Sequence, residues 1–278
     1  MKFGIPLGRL HPGFFLDATV EAEALGFASV WLPEHLIMPV DMTNSPHPGE
    51  DTPPVPPDIP VFDCFAYLSY LAGRTDRIRL GTHVYNLGLR HPFVAARAVQ
   101  TLDVVSGGRA EVGIGASWMA EEWQATGLDF TTRGRRLDEA LDVCTRLWSE
   151  PVVEHRGEFF DFPPVMFEPK PVQKPWPPLH IGGESDAALR RAARLGNGWI
   201  GINHTVESIA PSIGRLRSLL AEAGRADEPF EVTVGGPVAN RDDVERWEEV
   251  GVDRLIIGPW ARSKEAIEGM RRFAEKVF

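Results

Sequence analysis

The 278-residue chain carries only two cysteines, Cys64 and Cys144. That shortage rules out a disulfide framework and a four-cysteine zinc site, and because each falls within an apolar helical pattern, both are expected as buried thiols. Long hydrophobic runs are missing too. No segment reaches the roughly 18 uninterrupted apolar residues of a membrane span, and the N-terminus "MKFGIPLGRLHPGFF" has no continuous apolar stretch of the kind a secretory signal needs. A cytoplasmic protein without membrane contact is the expectation. Positive charge is also short: 29 Lys and Arg against 39 Asp and Glu give a net charge of −10, with the acidic residues spread along the chain. Such a surface lacks the basic footprint of a nucleic-acid binder. The motifs His-x-His and His-Glu-x-x-His are absent, and the aspartates do not cluster, so no metal site is expected.

What is present is a repeated alternation. With 43% hydrophobic residues the chain can build a sizeable core, and short apolar runs alternate with longer segments of helical period. The strand candidates are residues 2–8, 28–33, 77–84, 109–115, 178–183, 198–202, 230–236 and 253–258. Between them lie segments such as "RRLDEALDVCTRLW", where Leu137, Leu141, Cys144 and Trp148 fall on one helical face and charges on the other. Eight evenly spaced strand-helix units predict an α/β fold of the (β/α)8 TIM-barrel class, one domain over residues 1–278, with its site on the loops after the strands. A doubly wound sheet accounts less well for the even spacing.

Two proline-rich insertions interrupt the pattern, one after the second strand and one before the fifth barrel strand. Between Ile37 and Phe62 lie eight of the chain's 24 prolines, which exclude helix and inner strand and predict a long extended loop on the active-site side, read here as a lid. Residues 152–178 read as a small hairpin around Arg156 and Gly157, followed by proline-rich coil.

The strand ends carry the candidate chemistry. The second strand ends in Pro33-Glu34-His35, and His35 is open to reading as a general base, a cofactor contact or a structural histidine. The third runs "LGTHVYNLGLRHP", with His83 and Asn86 near its end. The fourth delivers "GIGASW". This Gly-x-Gly fails the dinucleotide fingerprint, since Ala116, Ser117 and Trp118 follow Gly115 without the third glycine; Gly115 and Ala116 instead leave room for something flat. The fifth barrel strand delivers "HIGGESDAALRRAARLG". There Gly182 and Gly183 permit close backbone approach and Ser185 caps a helix, which suits a phosphate, while Glu184 works against one. A plain strand-to-helix turn explains the same residues equally well. Phe62, Phe65 and Trp118, with the lid, suggest an apolar substrate pocket.

Together the stretches "EAEALGFASVWLPEHL", "RTDRIRLGTHVYNLGLRHP", "TLDVVSGGRAEVGIGASW", "RGRRLDEALDVCTRLW" and "PPLHIGGESDAALRRAARLGNGW" resemble the bacterial luciferase-like flavin and deazaflavin oxidoreductases, and within them the F420-dependent branch. The likeness covers most of residues 1 to 200. It implies a barrel that lays the tricyclic ring of coenzyme F420, or alternatively FMN, across the strand ends. By the same likeness Glu34 and His35 match an acidic-His pair at the ring, with His35 positioning or protonating the substrate. A non-proline cis peptide is implied between His83 and Val84, with Asn86 nearby, and Gly182, Gly183, Glu184 and Ser185 match the phosphate loop. Trp118 stands where sugar-phosphate dehydrogenases of the family carry an acidic glutamate; Glu121 and Glu122 are near enough to replace it but read more simply as exposed charges of a first helical turn. The implied function is hydride transfer between F420 and a small hydrophobic substrate. The alternatives are an FMN-dependent monooxygenase fed reduced flavin by a separate reductase, and a barrel that binds flavin or F420 without turnover. A homodimer is the implied assembly.

Overall fold

The computed structural model describes residues 1–42 and 56–278. Its barrel strands are β1 (Lys2–Pro6), β2 (Ser29–Leu32), β3 (Arg79–Tyr85) and β4 (Ala110–Ile114). After a separate antiparallel hairpin, β5 (Val153–Arg156) and β6 (Asp161–Val165), follow β7 (Leu179–Gly182), β8 (Gly198–Asn203), β9 (Glu231–Gly235) and β10 (Arg254–Ile256). The eight parallel strands close in the order β1-β10-β9-β8-β7-β4-β3-β2. All eight predicted strands are present, and the hairpin falls where Arg156 and Gly157 predicted it. Residues 43–55, the middle of the expected lid, lie outside the described residues; the flanks 37–42 and 56–62 contain neither helix nor strand.

The helices are α1 (Phe15–Leu25), α2 (Cys64–Ala72), α3 (Pro92–Val105), α4 (Ala120–Ala125), α5 (Arg133–Ser149), α6 (Asp186–Leu195), α7 (Val206–Glu222), α8 (Arg241–Val250) and α9 (Ala266–Val277). Their starts follow local chemistry. Asp63 accepts from the Ala66 amide at 2.8 Å, Ser185 from Ala188 at 3.2 Å, and Pro92 stands in the first turn of α3. On α5 the predicted stripe of Leu137, Leu141, Cys144 and Trp148 is buried. Both cysteines are free and buried, and burial pushes each thiol well up from its usual range. Among the described residues, no helix is long and apolar enough to cross a membrane.

The barrel interior is layered. Its lower layer is ionic: Arg254 reaches Glu111, with one pairing at 3.0 Å, and Glu231 at 3.0 Å, while Arg79 pairs with Glu111 from the other side. Glu111 and His180, with the partly buried Glu231, offer ligand atoms within 4.8 Å of one another. No sequence motif signalled this grouping of β4, β7 and β9, and the cation seated in it is the Arg254 guanidinium. Above lies Trp31, whose indole N–H donates to Ser29 at 2.8 Å and whose ring has Arg254 5.1 Å beneath it. Trp31, Ile200 and Ile256 form a small apolar cluster that closes the interior under the mouth.

Candidate active site at the barrel mouth

The chain leaving β2 turns at Pro33 and sets Glu34 inward, 3% exposed. Its carboxylate is occupied. Arg90 pairs with it closely and again at 3.2 Å, and the Asn86 amide donates to it at 3.0 Å. The Asn86 side chain returns a bond to the Glu34 carbonyl at 3.4 Å, and Arg90 lies 4.5 Å over the Tyr85 ring. Glu34, Asn86 and Arg90 therefore fasten the β2 turn to the β3 turn. Arg90, within the quoted "LGLRHP", was not singled out from sequence.

One residue on, His35 points to a different carboxylate. Its Nδ1 lies 3.2 Å from Glu122, and Glu122 also accepts from the Leu36 amide at 2.6 Å. Glu122 is fully buried, which corrects the expectation of an exposed first-turn charge. The reason is the packing of α4: Met119 and Trp123, four positions apart, are both fully buried, and they turn the short helix so that Glu122 faces the mouth. A carboxylate in that position favours the imidazole tautomer with hydrogen on Nδ1 and leaves Nε2 for other chemistry. Trp118 stands edge-on to His35 at 5.9 Å. Ahead of it Ser117 adopts a left-handed φ of 69°, uncommon for a non-glycine residue and frequent where a loop is held for function.

The floor is made at the end of β3. The His83–Val84 peptide is cis, as the resemblance implied, and the β3–β4 register shifts between Thr82 and Tyr85. Val84 then packs against the Trp31, Ile200 and Ile256 cluster. Side chains at Gly115 and Gly182 would come within 2.6 Å and 2.9 Å of the Val84 methyls, so these glycines make room for Val84. The half-buried Ala116 follows. Burial lowers the His83 imidazole to about 4, so it is neutral at neutral pH.

The β7 end supplies a turn. Gly183 takes a φ of 123°, accessible mainly to glycine, and its carbonyl accepts from the Trp199 indole at 2.8 Å. Glu184 turns toward β8, accepting from the Ile202 amide at 2.6 Å and meeting His204 at 3.2 Å. Asp186 is held by Arg190 at 2.6 Å and Arg215 at 2.8 Å. Both carboxylates near the start of α6 thus point to partners away from the turn, and Ser185 caps the helix, leaving the first amides of α6 as the donors a phosphate would need there.

Two expected pocket residues pack on neighbouring rings. Phe65 is buried edge-on against Tyr85 at 4.8 Å, and Phe62 packs on Tyr67 at 5.4 Å. Phe65 thus sits between the barrel and α2, while Phe62, 40% exposed, covers the outer Tyr67 ring. Of the three, only Trp118 adjoins His35.

The sequence profile of the family described as luciferase-like monooxygenase matches residues 7–276. A phthiodiolone/phenolphthiodiolone dimycocerosates ketoreductase of Mycobacterium tuberculosis is 30% identical over 257 residues, covering 87% of this chain and 67% of that protein. Among solved structures, an F420-dependent secondary alcohol dehydrogenase in complex with an F420-acetone adduct superposes with a TM-score of 0.80 at 18% identity, covering 99% of this chain and 98% of the other. The monooxygenase RslO1 of Streptomyces bottropensis gives 0.78 at 22% identity, with coverage of 99% and 98%. These two likenesses establish the shared barrel.

Proposed function

Because the chain belongs to the luciferase-like monooxygenase family, an oxidoreductase family, we propose that it is an F420-dependent oxidoreductase acting on a small, largely apolar alcohol or carbonyl compound. The observation that carries the reading is the pairing of His35 with the fully buried Glu122 at the end of β2, beside Trp118. When bound, the deazaflavin supplies a carbon that accepts or donates hydride. Val84, seated over Gly115 and Gly182, supports the ring, and the turn from Gly183 to Ser185 takes the phosphate. His35 moves the proton: in reduction its Nε2–H goes to the substrate oxygen as hydride reaches the carbon, and in oxidation it takes the hydroxyl proton. Glu122 keeps the imidazole turned and stabilises it while charged. Trp118 excludes water and favours an apolar substrate. Glu34, fastened by Arg90 and Asn86, holds the turn from which His35 projects.

Equilibrium titration of the purified protein with F420 and with FMN, followed by fluorescence, is the test. F420 should bind the tighter. Tighter FMN binding, with oxygen consumed only when a separate reductase is added, would overturn the reading in favour of a flavin monooxygenase. We further propose a homodimer through the apolar groove of about 710 Å³ between α2 and α3, lined by Phe65, Phe93, Val94, Met166 and Phe167. Val94 and Met166 are 61% and 72% exposed there, an apolar patch of the kind that marks a protein contact. Sedimentation of Met166→Glu should show monomers where the parent shows dimers.

A further inference from the structure

The mouth has a second half that the proposed reaction leaves idle. The ends of β8, β9 and β10 and the turn after β1 enclose a cavity of about 680 Å³, within the range of small-ligand sites. It adjoins the proposed ring site at two points. Ile256 lines it and also packs with Val84. His204 lines it and contacts Glu184, so the cavity starts where the turn from Gly183 to Ser185 ends.

Most polar groups around it are engaged with one another. Arg246 donates to Glu207 at 2.7 Å, Asp243 accepts from the Ala239 amide at 2.8 Å, and His204 lies between Glu184 and Ser208 at 3.2 and 3.1 Å. Arg9 differs. It is exposed, and among the described residues it has no hydrogen-bond or ion-pair partner. It lies across Gly258 at the end of β10, where a Cβ would come within 3.3 Å of its Nη1. The lone uncommitted cation of the cavity wall thus rests on a residue small enough to let it lie flat over the opening.

We propose that Arg9 clamps an anionic group, a carboxylate or phosphate, of a small molecule bound in this cavity. The inference uses the reading above only to set where the cofactor phosphate ends. A guanidinium offers such a group a paired, charge-assisted grip. Two sources share this chemistry: a carboxylated tail running on past the cofactor phosphate, which F420 has and FMN lacks, or an acid group on the substrate itself.

The test compares the parent protein with Arg9→Gln. Each is titrated with F420 and FMN by fluorescence, and the cofactor-saturated protein with inorganic pyrophosphate by calorimetry. If the tail is the ligand, Arg9→Gln weakens F420 roughly tenfold and leaves FMN unchanged. If the substrate supplies the anion, both cofactor affinities hold and the variant loses the parent's pyrophosphate binding. In either case Arg9→Lys should recover part of the loss, and Arg246→Gln should stay within about twofold of the parent, its partner Glu207 being the only ligand it gives up. Unchanged F420 affinity together with unchanged or absent pyrophosphate binding overturns the proposal. A parent that takes FMN and refuses F420 sinks the F420 reading alone, and the pyrophosphate arm then decides on Arg9.

Discussion

Below Trp31, the barrel interior gathers Glu111, Glu231, Arg79 and Arg254 into linked ion pairs, with Lys2 reaching Glu231 from outside; above it, at the mouth, charge is distributed so that Glu34 is fastened by Arg90 while Arg9 has no partner among the described residues. Burial alone would raise the Glu111 carboxyl, yet the Arg254 guanidinium beside it, helped by Arg79, holds it at about 2. At the mouth the same force acts unopposed, and burial lowers His83 to about 4. The difference separates two uses of buried polarity. A charge compensated on all sides fixes the architecture, whereas one held by a single neighbour is free to exchange a proton or meet a ligand.

Removing Arg254 should have the largest effect. Arg254→Leu leaves the buried Glu111 without its main counter-charge and should cost about 3–5 kcal/mol of stability by chemical denaturation; adding Glu111→Gln should restore part of it. A single variant as stable as the parent would show that the lower layer is not what fixes the barrel. At the mouth the pattern should invert. His35→Ala should lower kcat at least roughly 100-fold while changing the denaturation midpoint little and leaving cofactor affinity near the parent value. Equal turnover would remove His35 from the chemistry.

Acid should weaken both layers. His83 and His180 are held by burial below the ordinary histidine value, and Glu111 is held below the ordinary carboxylate value. In each case the unfolded chain binds more protons. Stability is therefore full above about pH 6.5 and falls below it as the unfolded histidines take up protons, by roughly 1.4 kcal/mol per unit from His83 down to its folded value near 4, and it falls further below about pH 4.5 as unfolded Glu111 protonates. Denaturant titrations from pH 7.5 to 4 check this, and a flat profile would show that neither histidine is held neutral by its surroundings.

Much of the scaffold was legible in sequence because barrel strands and their covering helices repeat with periods that the chain displays locally, as in the α5 stripe from Leu137 to Trp148. The site was only half legible. Glu34, His35, His83 and the Gly182 turn sit at strand ends, where the fold itself points. Their partners do not. Arg90 and Glu122 meet Glu34 and His35 across 56 and 87 residues, a juxtaposition set by barrel closure. For Glu122 a signal existed: the spacing of Met119 and Trp123 marks the buried face of α4, and Glu122 adjoins it. Phe62 and Phe65 show the converse, since an aromatic after a long loop serves helix packing as readily as a pocket. Arg9 was invisible because its cavity is assembled from both ends of the chain.

The smallest effect should fall on the link between the two carboxylate roles. Glu122→Gln keeps an oxygen for the Leu36 amide but turns an amide N–H toward His35 Nδ1, reversing the tautomer that the carboxylate favours. The Nε2 that faces the chemistry then carries hydrogen in the neutral state, so His35 loses its acceptor for the substrate proton. The comparable loss of a histidine-orienting carboxylate in serine proteases is larger, but there a nucleophile must also be activated; here roughly a tenfold fall in kcat for alcohol oxidation is expected, with KM and F420 affinity unchanged. Nitrogen NMR of the His35 ring reads the cause directly: hydrogen on Nδ1 in the parent, on Nε2 in the variant. A ring that keeps its tautomer while kcat falls would make Glu122 a residue that fastens the loop as Glu34 does, and the mouth would then resemble the ionic layer beneath it.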